Sequence, residues 1–204
     1  MKVAEYKEQK IPQIQQKLKA ENRRLLFQDE SAVRLLPCIR STYAPIGQTP
    51  ALICDSKNKA YISISGAISP DGYAYFEVRE QEGFKQRGLT RFMDNLWADA
   101  KDPLLMIWDG APSHHSKTVK AYLAAQNQEY PRIWLENTPP YSPELNPIEQ
   151  AWAWLKQKMA NQFFETTQKL KIAVTKALNE MKNDKELIKS FFKHEALDCY
   201  QFST

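Results

Sequence analysis

The sequence predicts an α/β protein, a mixed β-sheet flanked by helices with extra helices towards its C-terminal end. Three observations carry this prediction. Short alternating segments, "AYISISGAIS" and "YAYFEV", come first and read as an antiparallel pair. Two continuous apolar runs, "PLLMIWDG" and "RIWLEN", follow with a helical stretch between them, the pattern of buried parallel strands. Beyond residue 170 the apolar residues recur at helical spacing. Antiparallel strands followed by βαβ units imply a mixed sheet with helices on its faces. Active sites in such sheets lie at strand ends and in the loops that follow.

Taken in order, residues 2–21 have few breakers besides Pro12 and predict one or two short helices. "RLLFQDES" (24–31) predicts an apolar strand running into acids. Val33 and Leu35 alternate beyond it, and "STYAPIGQTP" (41–50) supplies a turn, as if a strand pair were closing. Ile62, Ile64 and Ile68 alternate across Gly66, which marks a half-buried strand. "SPDG" (69–72) is a turn, with Pro presetting φ and Gly tolerating positive φ. "YAYFEV" then returns as the hairpin partner.

"LTRFMDNLWADA" (89–100) puts Phe92, Leu96 and Trp97 on one helical face. "PLLMIWDG" (103–110) predicts a central strand, 116–128 a helix, and "RIWLEN" (132–137) another buried strand. Leu170, Val174, Leu178 and Met181 define a long helix, and Leu187, Ile188, Phe191 and Phe192 a last one. The sequence contains no internal repeat and no low-complexity tract.

At 204 residues the chain is long enough for one sizeable core. A hydrophobic share of 43% with 25% charged residues predicts a soluble globular protein. No run reaches the roughly 18 apolar residues of a membrane span. "MKVAEYKEQK" lacks the apolar core of a secretory signal, which predicts a cytoplasmic protein. Cys38, Cys54 and Cys199 are odd in number and far apart, which fits reduced thiols better than a disulfide framework or a zinc site. The net charge of +4 is concentrated at the start, where residues 1–24 hold seven Lys and Arg against three Glu. Such a segment fits a nucleic-acid partner, or simply a solvated helix.

Three acids occupy informative places. Asp29 ends the first apolar strand, Asp109 ends the central one, and Glu149 opens the helix of "TPPYSPELNPIEQAWAWLK" (138–156). If the two strands are neighbours, both aspartates project from one edge of the sheet. Three hard oxygen ligands with open positions suit Mg²⁺ or Mn²⁺ far better than zinc. Two such ions, about 3.5–4 Å apart, activate a water and stabilise the leaving oxygen in phosphoryl transfer. Crowded carboxylates repel, so at least one should have a raised pKa. Each acid also has a plainer reading. Asp29 and Asp109 could start turns, and Asn146, Pro147 and Glu149 fit the N-cap, first turn and N3 of a capping box. His114 and His115 could be surface loop residues, and Trp152 and Trp154 fit packing better than nucleotide stacking.

"LFQDES", "STYAPIGQTP", "SGAISPDG", "IWDGAPSHHS" and "TPPYSPELNPIEQAWAWLK", in this order, resemble the catalytic domain of Tc/mariner-superfamily transposases, particularly the bacterial insertion-sequence branch. The resemblance spans roughly residues 25–160, with "PPYSPELNPIEQAW" its most specific part. It implies a ribonuclease H-like fold with a catalytic Asp-Asp-Glu triad at Asp29, Asp109 and Glu149, which hold two Mg²⁺ or Mn²⁺ ions. It further implies cleavage of DNA at the element's terminal inverted repeats, transfer of the freed 3′-hydroxyl into target DNA, and a homodimer. Relatives often keep 34 residues between the second and third acids, which would nominate Glu144, whereas 39 separate Asp109 from Glu149. The "NPI" motif assigns the role to Glu149, with the connection around "AAQNQEYPR" (124–132) accounting for the extra length.

His114 corresponds to a histidine commonly found after the second acid. His114, Lys117, Lys156 and Lys158 are candidate DNA contacts. Tyr43 stands where relatives often carry tryptophan. The resemblance divides the chain into a basic helical arm (1–24), the catalytic domain (25–160) and C-terminal helices packed on it (161–204). About 24 residues precede "LLFQ", too few for the helix-turn-helix module of relatives. The expectation is a catalytic portion whose DNA-recognition part is encoded separately. The alternative is an inactive or regulatory fragment that binds full-length transposase or DNA without cleaving.

Overall fold

The computed structural model describes residues 2–48, 59–126 and 132–200. Five strands form one mixed sheet in the order β3-β2-β1-β4-β5. β1 (Arg24–Arg34), β2 (Tyr61–Ile68) and β3 (Ala74–Glu80) pair antiparallel in sequence. β4 (Leu104–Trp108) and β5 (Ile133–Asn137) add in parallel on the other side of β1. The hairpin between β2 and β3 closes as "SPDG" predicts. Ser69 N–H donates to the Tyr73 carbonyl at 2.9 Å, and Gly72 has a φ of +87°.

Period-two alternation divides the sheet's residues between two cores. Phe27, Leu105 and Ile107 face one side, and Leu26, Leu104, Met106 and Trp108 face the other. Both sides are covered, so all five β4 residues are buried, which is why "LLMIW" reads as an unbroken apolar run. α3 (Gln86–Ala100) and α4 (Lys117–Gln126) cover the Leu26 side with Leu89, Phe92, Met93, Leu96 and Val119. The Phe27 side takes α2 (Ile11–Glu21), α5 (Ile148–Lys158), α6 (Thr167–Asn183) and α7 (Lys185–Ser190). Leu170, Val174, Leu178 and Met181 of α6 are all buried there, as their spacing predicts. Each such fully buried aliphatic side chain contributes roughly 1.5–3 kcal/mol.

Three segments differ from the sequence expectation. The first 24 residues, read from sequence as a basic arm, pack Tyr6, Ile11 and Ile14 into the core. α1 (Val3–Glu5) runs through a π-helical turn, Tyr6–Lys10, into α2, and Pro12, which has no N–H to donate, closely follows that turn. Lys10 and Lys17 close on Glu136 of β5 at 2.7 and 3.6 Å, and Lys17 lies over the Trp134 ring. β5, expected as a buried strand, is the last in the sheet order. Trp134 and Leu135 are therefore only half-buried.

The segment after β1 also departs from a closed strand pair. Leu35 N–H still donates to the Ala60 carbonyl at 2.8 Å, but residues 36–48 form neither helix nor strand. Gln48 N–H donates to the Pro45 carbonyl, so the turn in "STYAPIGQTP" falls at residues 45–48. Thr49, Pro50 and Cys54 lie outside the described residues, as does most of the connection at 127–131. Cys38 is exposed and Cys199 half-buried, both as free thiols. Among the described residues no helix is long and apolar enough to cross a membrane.

Candidate active site

β1 and β4 run parallel with Phe27 opposite Ile107. Two residues further along each chain comes an aspartate, Asp29 and Asp109. Neighbouring strands lie about 4.8 Å apart, so the two acids emerge side by side where the parallel pair ends. Asp29 does not end β1, however. The strand continues to Arg34 because β2 goes on pairing with it, and Asp29 stands opposite Gly66.

The third acid arrives from across the sheet edge. Thr138 N–H donates to the Trp108 carbonyl at 2.9 Å, which turns the chain into the proline-rich loop. The loop ends in a single 3-10 turn, Pro143–Leu145, whose Leu145 is buried while Glu144 is exposed. α5 begins at Ile148 with no side-chain cap. Glu149 N–H is accepted by the Asn146 main-chain carbonyl at 3.1 Å, and Asn146 N–H goes to Pro143. The Asn146 carboxamide donates instead to the Gln28 carbonyl of β1 at 3.3 Å. The Asn146/Glu149 capping box is thus not formed. The Asn146 contact ties the start of α5 to the strand that carries Asp29.

Asp29, Asp109 and Glu149 line one open cleft of about 410 Å³, shared with Gly110, Thr138 and Asn146. Glu144, favoured by the 34-residue spacing, is not on it. The two aspartates have opposite electrostatics. Burial pushes the Asp29 carboxyl up to about 7, with the negative charges of Glu149 and Glu30 adding to the rise. Hydrogen bonds from the Glu30 backbone and from the Trp152 indole, Nε1 to Oδ2 at 3.0 Å, offset part of it. Asp109 is held below the usual carboxylate range, chiefly by a hydrogen bond from His114, with its burial opposing.

His114 is a buried organiser of this corner. The "GAPSHHS" loop folds back so that His114 Nδ1 lies 2.9 Å from both the side-chain Oδ1 and the main-chain oxygen of Asp109. Nε2 stands 3.6 Å from Glu30 Oε2, an ion-pair distance and not a hydrogen bond. The imidazole stacks on Trp108 with centroids 4.0 Å apart. Burial works against its positive charge, but Asp109 and Glu30 outweigh burial and raise its pKa to about 10. The side chain has no exposed surface, so His114 does not offer the DNA contact expected from sequence. Its ring nitrogen is turned instead to Asp109.

The three candidate lysines lie on the surface in different places. Lys117 opens α4, directly after the His114 loop. Lys156 and Lys158 sit towards the other end of α5 from Glu149, about 10 Å or more along the axis at 1.5 Å per residue. Lys158 pairs with Glu180 at 3.5 Å and lies beside the Trp154 ring. Glu30 and Trp152 are the site residues that sequence reasoning missed as such. Glu30 directly follows Asp29, and Trp152 falls one helical turn after Glu149, the two positions that could have drawn notice.

Whether these residues suit a divalent cation is a matter of donor chemistry. The acids supply only hard oxygen from three separate elements, as Mg²⁺ and Mn²⁺ prefer. Burial is the main cause of the Asp29 rise, and the smaller part that Glu149 and Glu30 add by repulsion is what a cation would relieve. Among the described residues no group of three His, Cys, Asp or Glu side chains already stands at metal-holding spacing. The three carboxylates line the cleft without closing on a common point.

A model of the DDE superfamily endonuclease family matches residues 24–171. Among solved structures, the Mos1 transposase paired-end complex with left transposon end is similar at 18% identity and a TM-score of 0.68, over 97% of this chain and 60% of that one. The mariner Mos1 paired end complex with Mg gives 19% identity and 0.69, over 98% and 60%. The catalytic domain of Mos1 mariner transposase gives 16% and 0.64, over 98% and 90%. At these identities the likeness is one of fold, and the fold is ribonuclease H-like. The chain spans about 60% of the length of the Mos1 chains in those complexes. No curated protein matches it.

Proposed function

The chain belongs to the DDE superfamily endonuclease family, and on that premise we propose that it is the catalytic part of a DNA transposase. It cuts phosphodiester bonds at the ends of its element and joins the freed 3′-hydroxyl to target DNA. The observation that carries this reading is the meeting of Asp29, Asp109 and Glu149 on one cleft at the end of the parallel strand pair. Asp29, Asp109 and Glu149 would hold Mg²⁺ or Mn²⁺, which supplies the Lewis acid and the activated nucleophile. The similarity to a Mos1 complex with Mg supports that choice of metal.

The protein's own residues position the reactants. His114 keeps Asp109 ionised and in one orientation, Trp152 binds one oxygen of Asp29, and the first turn of α5 presents Glu149. Holding reacting groups in place is a large part of such catalysis. Lys117, which opens α4 after the loop that follows Asp109, is a candidate phosphate contact. The DNA partners are the element's terminal inverted repeats and its target, and the working form is a homodimer in the cytoplasm.

Metal-dependent nicking of DNA bearing the element ends tests this reading. Wild type should nick with Mg²⁺ or Mn²⁺, and Asp109→Ala should lose at least about 10³-fold, roughly 4 kcal/mol of barrier. Equal nicking by the two proteins would sink it. Co-purification with a full-length transposase in the absence of any cleavage would favour the regulatory alternative.

A further inference from the structure

We propose that Trp152 is a positioning residue for Asp29, and that residue 66 is glycine so that the indole can reach it. The inference rests on the metal-site reading above. Trp152 is one turn after Glu149 on α5, so both point from the helix towards β1 and β2. The indole is only 1% exposed and packs edge-on to Phe76. A Cβ at Gly66 would lie 2.7 Å from both the Trp152 and Phe76 rings. Gly66 is also the residue opposite Asp29 across the strand pair. The ring therefore occupies the place a side chain would take at 66, and its Nε1 extends to Asp29 Oδ2 on the next strand at 3.0 Å.

A buried indole needs an acceptor for its N–H. Many acceptors would serve, yet here it is the carboxylate of a candidate metal ligand. Among the described residues no Lys, Arg or His makes an ion pair with Asp29. The indole N–H is thus its side-chain donor. Binding one oxygen limits the orientations open to the carboxylate and couples its position to the helix that carries Glu149. Trp154 makes the contrast within "AWAW". It is half-buried, with Lys158 Nζ 5.1 Å from its ring.

The test compares the full chain with Trp152→Phe, which keeps an aromatic ring at this site while removing the N–H together with part of the ring's volume. Trp154→Phe is the control. By calorimetry, Mn²⁺ affinity should fall about 10–100-fold in Trp152→Phe, the usual effect of losing a hydrogen bond to a metal ligand, and stay unchanged in Trp154→Phe. In wild type, the Trp152 indole N–H resonance, assigned by sequential connectivities, should shift on Mg²⁺ addition more than the other indole signals. That measurement needs no variant to fold. Wild-type affinity in Trp152→Phe overturns the proposal, and so does an unresponsive Trp152 signal while Mg²⁺ binds. Failure of wild type to bind either ion overturns the metal-site reading and this inference together.

Discussion

Asp29 and Asp109 hold equivalent places on neighbouring parallel strands, yet their surroundings give them opposite characters. Asp29 lies deeper, with Glu149 and Glu30 as charged neighbours and an indole as its side-chain donor, and its pKa is raised to about 7. Asp109 is half-exposed and receives a buried imidazolium, which keeps it ionised. Register sets where the two carboxylates emerge. What other elements deliver sets their charge. α5 brings an acid and an indole to the first corner, whereas the loop of residues 110–116 returns a histidine to the second. One corner is electrostatically complete without metal, and the other carries repulsion that a cation would relieve.

Three experiments can break or sharpen this contrast. The largest effect belongs to paired amide substitutions in metal-free protein at pH 8. Asp109→Asn deprives a buried charged His114 of its partner and should cost about 1–3 kcal/mol. At roughly 2–4 °C per kcal/mol the loss is visible in a thermal melt. Asp29→Asn removes an unfavourable buried charge and should raise the melting temperature. Shifts of the same sign would end the comparison.

The next effect is pH dependence of metal-free stability. Asp29 has a folded pKa of about 7 against an ordinary 3.8, so the native state binds the extra proton between those values. Its contribution is therefore lost as pH rises from about 4 to 7. His114, raised from 6.5 to about 10, contributes fully below 6.5 and loses that contribution as pH rises through 10. Asp29→Asn should flatten the lower window alone, and His114→Gln the upper. A melting profile in which Asp29→Asn leaves the slope between pH 4 and 7 unchanged would contradict the Asp29 assignment.

Surface lysines should give the smallest effects. Lys117→Ala, Lys156→Ala and Lys158→Ala should each change stability by no more than about 0.5 kcal/mol. The exposed Lys158–Glu180 pair is worth about 0–1 kcal/mol. If DNA passes the Asp109 corner, Lys117→Ala should weaken DNA binding a few-fold more than the other two, read by fluorescence anisotropy at fixed salt. Equal losses for all three would place the DNA path elsewhere.

Much of this was legible locally. The unbroken "LLMIW" run foretold a strand covered on both sides, and "SPDG" foretold its turn. Asp29, Asp109 and Glu149 stood out in the sequence as acids after apolar runs and at a helix start, although β1 runs on past Asp29 to Arg34. Local pattern also misled. Asn146 has the chemistry of a cap but reaches to Gln28, and His114 looks like a loop residue but is wholly buried. The basic N-terminal segment read as solvated or DNA-facing, while Tyr6, Ile11 and Ile14 bind it to the core.

By itself the sequence determined the order and type of the elements and the hairpin, because apolar period and turn chemistry act between residues close in the chain. Tertiary structure alone decided that Phe27 sits opposite Ile107 and that Trp152 reaches Asp29 across 123 positions of sequence. It also decided that one aspartate is raised and the other lowered. Those outcomes depend on burial and on which side chains the packed elements bring within a few ångströms, and no local pattern carries that information.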